Sequence, residues 1–186
     1  MIKFLRTMTA AILLTISGMT IVGCQTALAE SASGLDRDAK AALLKLYDSA
    51  PAARDLAKTA KAILVFPNIV KAGFVIGAEY GDGALIKHGK TLGYYNIVAA
   101  SYGLQAGVQS FGSALFFMTD SALKDLETSS GFDVGVGPSV VIVDAGMAKS
   151  KTLATARSDI FAFTFGQRGL MAGLGLQGSK ITKINP

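Results

Sequence analysis

The apolar positions follow a helical period first and a strand-like pattern afterwards. Between residues 35 and 50 they recur at steps of three and four, which predicts an amphipathic helix. Ser33 and Asp36 have the spacing of a capping box and are expected to begin it. Pro51 is a favoured first-turn residue, so a second helix is predicted from there through Ala60.

From Ala62 onward, short runs of branched and aromatic residues are separated by glycine, which is typical of strands. The predicted strands are residues 63–66, 72–80, 83–87, 92–99, 103–109, 113–118, 132–136, 140–143, 159–165 and 170–177. Turns are expected at 81–83, 88–90 and 166–169, and Thr119, Asp120 and Ser121 form an N-cap cluster for one short helix.

Strands joined by such short turns pair antiparallel, because a parallel pair needs a crossover of a dozen or more residues. The frequent glycines permit bulges and strong coiling. The sequence therefore predicts an α+β fold: a curved, barrel-like antiparallel sheet covered by N-terminal helices and one short mid-chain helix.

The N-terminus has the features of an export signal. Lys3 and Arg6 precede an uncharged apolar stretch, residues 8–22, which is shorter than the roughly 20 residues of a spanning helix. The sequence Ile21-Val22-Gly23-Cys24 has the form of a bacterial lipobox, which predicts a lipid on the Cys24 thiol. An alternative site, Ala27-Leu28-Ala29, would instead release a soluble periplasmic protein.

The favoured organisation is a lipoprotein signal peptide (1–23), a flexible tether (24–34) and a single domain (35–186). The expected location is the cell envelope, as a lipoprotein anchored in a membrane, with the outer membrane favoured, and facing the periplasm.

The composition leaves little material for catalysis. One Cys and one His exclude an internal disulfide and a zinc or iron-sulfur site, and no cofactor is expected. Gly173 to Gly178 match the G-x-G-x-x-G spacing, but no acidic residue follows, so a curved strand is the better interpretation. His88 is interpreted as a solvated turn residue. Several carboxylates could form an acid pair in space, but no spacing in the sequence selects one pair, so they are interpreted as solvated or turn-capping residues. They include Glu79, Asp82, Asp133, Asp144 and Asp159.

The net charge of +5 is modest, and with an export signal it argues against nucleic acid as a partner. Basic residues group near the first strand (Lys58, Lys61, Lys71), at one turn (Lys87, Lys90) and in a late loop (Lys149, Lys151, Arg157). Contact with lipid phosphates and ordinary surface charge are both open interpretations.

Four segments carry a resemblance to a known family: Ala60 to Phe74 (AKAILVFPNIVKAGF), Gly103 to Gly107 (GLQAG), Gly135 to Pro138 (GVGP) and Gly169 to Ser179 (GLMAGLGLQGS). The chain resembles the SYLF domain family, its secreted bacterial branch in particular, and the resemblance is taken to cover about residues 36–186.

The resemblance implies a non-enzymatic lipid-binding domain. In a bacterial envelope the natural ligand is anionic phospholipid, with Lys58, Lys61 and Lys71 as expected head-group contacts. The first alternative is a structural or interaction protein that binds another envelope protein or peptidoglycan. A second is a small periplasmic hydrolase that uses two carboxylates.

Overall fold

The computed structural model describes residues 31–134, 136–143 and 157–186, without the side chains of residues 102–105 and 171–178. The expected signal peptide, Cys24, the Ala27-Leu28-Ala29 site, Asp144, Lys149 and Lys151 lie outside the described residues.

Three helices are present in these ranges: α1 (Ala32–Ser49), α2 (Pro51–Ala57) and α3 (Asp120–Thr128). The N-cap of α1 is Ser31, whose side chain accepts a hydrogen bond from the Gly34 backbone N–H at 3.3 Å. The expected start at Ser33 is therefore wrong, and α1 includes residues 32–34 of the expected tether. The helix α2 begins at Pro51 as predicted but ends before Ala60. None of the helices in the described ranges is long and apolar enough to cross a membrane.

Among the residues described, the sheet has three very long strands and two short ones: β1 (Ala62–Lys87), β2 (Lys90–Phe117), β3 (Phe132–Asp133), β4 (Val140–Val143) and β5 (Ile160–Ile184). Its order is β1-β2-β5-β3, and β4 also pairs with β5. All pairs are antiparallel except β4 with β5, which is parallel. The connection between β4 and β5 is long enough for that geometry.

Only one of the three expected turns forms. His88 and Gly89 join β1 to β2 with φ of 49° and 76°, and a two-residue turn of type I′ needs positive φ at both positions. The predicted turns at 81–83 and 166–169 are wrong, because both segments continue inside long strands. The same is true of Gly173 to Gly178, which lie in β5 and confirm the curved-strand interpretation.

The long strand β1 folds back on itself at Val75. This residue has φ of 66°, a rare conformation for a branched side chain, and the pairing register shifts between Phe74 and Ile76. We call residues 62–74 the N-terminal limb and residues 76–87 the C-terminal limb. A Cβ added to Gly83 would lie 2.5 Å from Cδ1 of Phe66. The two limbs are therefore in direct contact, and the sheet is a curled half-barrel, as predicted.

Helices cover the two faces of this folded sheet near its strand ends. One buried cluster joins α1 and α2 to both limbs and contains Leu43, Leu46, Leu56, Val65 and Ile86. The other joins α3 to the sheet and contains Leu64, Tyr95, Phe117, Leu123 and Phe132. Since α1 packs on β1 and this cluster contains residues of both limbs, the helices stabilise the fold in β1 as well as covering apolar surface.

The contact between the limbs predicts that Gly83→Ala will destabilise the domain by about 2 kcal/mol, because the added methyl overlaps the Phe66 ring and the Val65 carbonyl. Gly93→Ala is the matched control, since its nearest neighbour is the flexible end of Lys183 at 3.4 Å. Urea unfolding of both variants measures the difference. Equal stability of the two would contradict the contact between the limbs.

Candidate functional site

Each of the three lysines expected to bind head groups is in an ion pair. Lys58 Nζ lies 2.7 Å from Asp55 Oδ1, and Lys61 Nζ lies 3.0 Å from Asp120 Oδ2. Lys71 Nζ lies 2.7 Å from Glu79 Oε1. The first two pairs are exposed, and such pairs contribute little to stability, so both cations stay accessible to other anions.

The structure does not bring these three lysines together as expected. Lys58 is the C-cap of α2 and Lys61 follows the helix, so they do not share a helical face. Pro67 and Asn68 form no turn, because β1 runs through them with a bulge. Lys71 lies ten residues beyond Lys61, about 30 Å of strand at the usual rise per residue.

Lys71 is enclosed between the limbs rather than displayed on the surface. Its side chain is 17% exposed and that of Glu79 is 4% exposed. The two residues are each four positions from Val75, on opposite limbs. This placement puts Lys71 in an ion pair inside the folded sheet, and head-group contact by Lys58, Lys61 and Lys71 stays a prediction.

A groove of about 370 Å³ lies between α1, the segment after α2 and the β1–β2 turn. We call it the basic groove. Its apolar lining includes Leu43, Leu44, Tyr47, Ile63 and Ile86, and its basic lining consists of Lys40, Lys61, Lys87 and His88. Its volume is within the range of small-ligand pockets, and no acidic residue is among those that line it.

Helical spacing and one hydrogen bond explain how the groove forms. Lys40, Leu44 and Tyr47 follow steps of four and three along α1, so they share one side of the helix. One turn before Lys40, the Asp36 carboxylate accepts a hydrogen bond from Thr91 Oγ1 at 2.8 Å. This bond holds the beginning of α1 against the β1–β2 turn, where Lys87 and His88 are located.

The electrostatics of the groove favour an anion with an apolar part. Within the described ranges, Lys40 and Lys87 have no ion-pair partner, while Lys61 is shared with Asp120. Burial raises the pKa of Tyr47 above 10.0, although the nearby Arg54 opposes that shift. The Tyr47 phenol is therefore neutral at physiological pH.

The other candidate residues are dispersed. His88 is exposed in its turn. Asp82 accepts a hydrogen bond from Asn96 Nδ2 at 2.8 Å, and Asp133 is exposed in β3. Asp159 accepts from the Ser139 backbone N–H at 3.0 Å and hydroxyl at 2.8 Å, and these bonds lower its pKa below 3.8. Across the part of the chain that is described, no three His, Cys, Asp or Glu residues are grouped as metal ligands.

Sequence reasoning missed Lys40 and noted Lys87 only as a residue beside a turn. A signal was present in α1: Leu44 is a large apolar residue off the main stripe, and it follows Lys40 by four positions. The helical period predicts that a position off the stripe faces solvent. A large apolar residue at such a position, next to a Lys, therefore indicates a second contact surface. The partner strands that complete the groove were not visible in the sequence.

Comparison with known families gives a match in the C-terminal part of the domain. Residues 98–185 match the family described as Ysc84: Las17-binding protein actin regulator. This is the SYLF domain family, so the resemblance seen in the sequence is confirmed over residues 98–185. A search of curated proteins found no match. The residues that line the basic groove precede the matched segment, so its chemistry has to be argued from the structure.

The enclosed ion pair predicts that Lys71→Met will destabilise the domain by about 3 kcal/mol, since Glu79 would lose the cation that faces it. The double variant Lys71→Met/Glu79→Leu should recover most of that loss, because no charge is then left enclosed. Urea unfolding of the single and double variants provides the measurement. A double variant less stable than the single one would contradict this account.

Proposed function

We propose that this domain binds anionic phospholipid at a membrane surface of the cell envelope, without catalysis, and that a lipid on Cys24 anchors it there. The observation that carries the proposal is the pair of lysines, Lys40 and Lys87, that line an apolar groove without an ion-pair partner in the described part of the chain.

A phospholipid matches both properties of the groove. Its phosphate suits the basic lining, and a Lys near an anionic membrane contributes about 1 kcal/mol. The first carbons of an acyl chain suit the surface of Leu43, Leu44 and Ile63, where each buried methylene contributes about 0.8 kcal/mol. A fully polar anion such as free phosphate would leave that apolar surface unused.

The position of the expected anchor supports the basic groove as the surface that contacts the membrane. Ser31 lies just before α1, and the first turns of α1 contact the β1–β2 turn beside the groove. The segment from Cys24 to Ser31 reaches at most about 25 Å when extended. A lipid on Cys24 would therefore keep the groove close to the membrane.

The family description names binding to Las17 and regulation of actin for the family as a whole. For a chain with a predicted export signal, lipid is the family-associated ligand that an envelope can supply. The alternative function, interaction with another envelope protein or peptidoglycan, becomes the better interpretation if the lipid experiments below fail.

Removal of the two groove cations provides the main test. In the full chain with Cys24 replaced by Ala, Lys40→Gln/Lys87→Gln should weaken binding to phosphatidylglycerol vesicles by tenfold or more, on the order of 1 kcal/mol per cation. Flotation at low and high salt measures this, and salt should reduce the difference between the chains with and without the two lysines.

The matched control is Lys45→Gln/Lys124→Gln, which removes the same charge from two exposed sites outside the groove. Its binding should remain near that of the chain with an unsubstituted groove. Equal losses in both variants would show that total charge matters and the groove does not, and equal binding to phosphatidylglycerol and neutral vesicles would exclude selective binding of anionic lipid.

The anchor is tested separately. Cys24→Ala should move the protein from the membrane fraction to the soluble envelope fraction, because the thiol is the site of lipid attachment in this proposal. Mass measurement of the mature N-terminus gives a second readout. A soluble wild-type protein that begins at Glu30 would contradict the anchor and would favour cleavage after Ala29.

A further inference from the structure

On the outward face of the bend in the sheet, most of the large apolar side chains that the structure describes are exposed. We call this face the crest; it is formed by residues 70–80 of β1, 98–110 of β2 and 168–180 of β5, which pair in register. Exposed apolar side chains recur along it, including Val70, Phe74 and Ile76 on β1, Val108 on β2 and Leu170 on β5. Phe74 is 80% and Leu170 is 88% exposed.

The pairing shows that these side chains share one face. Ala72, Val108 and Leu170 are direct partners across the three strands, and Phe74 lies two residues beyond Ala72 on the same side. A contiguous exposed apolar surface of this kind indicates an interaction site, because isolated monomers keep such surface small.

Charges on the crest have one sign. The three segments that form it contain four charged residues: Lys71, Glu79, Arg168 and Lys180. Lys71 and Glu79 are paired inside the folded sheet, on the opposite face. The charges that remain, Arg168 and Lys180, are both basic and exposed on β5.

From this combination we propose that the crest inserts into the interfacial region of a lipid bilayer as a second membrane contact, distinct from the basic groove. Apolar side chains gain from transfer into the acyl region, while Arg168 and Lys180 are placed to contact anionic head groups. The central strand β2 pairs with β5 through the bend, and it pairs with β1 on both sides of residues 103–105, which lowers the cost of moving its backbone groups out of water.

The crest and the groove lie at opposite ends of the folded strands. The groove includes Ala62, Ile63 and Ile86, near the two ends of β1, whereas the crest is centred on Val75. About 35 Å of strand separates them at the usual rise per residue. The proposal rests on lipid binding as the function of the domain. It adds a second surface that binds the membrane by hydrophobic insertion, whereas the basic groove attracts head groups by charge.

The absence of tryptophan from the chain makes a direct test possible. Phe74→Trp places a single fluorophore on the crest, and Val136→Trp is the control, since Val136 is 71% exposed and lies outside it. With phosphatidylglycerol vesicles, the indole emission of Phe74→Trp is expected to shift to shorter wavelength and to be quenched by brominated acyl chains. The emission of the control variant is expected to stay unchanged.

Binding measurements with a second pair of variants separate the crest from the groove. Phe74→Ser/Leu170→Ser should lose at least tenfold in vesicle binding, and the loss should persist at high salt, because each side chain contributes apolar transfer energy. Val136→Ser should bind as wild type does. The groove variant Lys40→Gln/Lys87→Gln should instead lose binding mainly at low salt.

No spectral shift at position 74, with vesicle binding otherwise intact, would overturn the crest proposal and leave the function of the groove standing. A shift that appears without lipid and grows with protein concentration would also overturn it, because the crest would then contact a second copy of the chain. Loss of vesicle binding in the groove variant alone, with the crest variant unaffected, would likewise refute insertion of the crest.

Discussion

The contact between the two limbs of β1 is the constraint on which the rest of the structure depends. It requires a strand of 26 residues to reverse direction without a loop, and it requires glycine where the limbs meet. At Gly81 and Gly83 a side chain would overlap Asn68, Ile69, Val65 or Phe66. Because β2 pairs with β1 on both sides of the bend and β5 pairs with β2, the fold in one strand becomes a fold in the whole sheet.

This folding determines where each surface lies. It brings both ends of β1 to one side, where α1 and α2 share one buried cluster with the two limbs and residues from both limbs complete the basic groove. It also leaves the bend, with its apolar outward face, at the other side. The cationic groove and the apolar crest are therefore two consequences of one geometric feature.

The ion pair between Lys71 and Glu79 contributes to the same feature from within. Its members are placed symmetrically about Val75, so their contact at 2.7 Å aligns one limb with the other. An enclosed ion pair adds little net stability over apolar residues of similar size, but separating its members is costly. We interpret the ion pair as a contact that fixes the alignment of the two limbs, because apolar contacts alone allow more than one alignment.

The sequence by itself determined the class of fold, the short helix after Thr119, the turn at His88 and Gly89, and the family resemblance, because these depend on local spacing and on motifs. It also indicated a basic surface near the start of the domain, although Lys40 was missed and Lys71 lies apart from Lys58 and Lys61 in an enclosed ion pair. Local patterns cannot show whether a glycine makes a turn or a close approach, so Gly81 and Gly83 were interpreted as a turn although both lie within β1. Only the tertiary structure decided which lysines share a groove and which apolar residues share a crest, because both surfaces combine segments far apart in sequence that the folded sheet brings together.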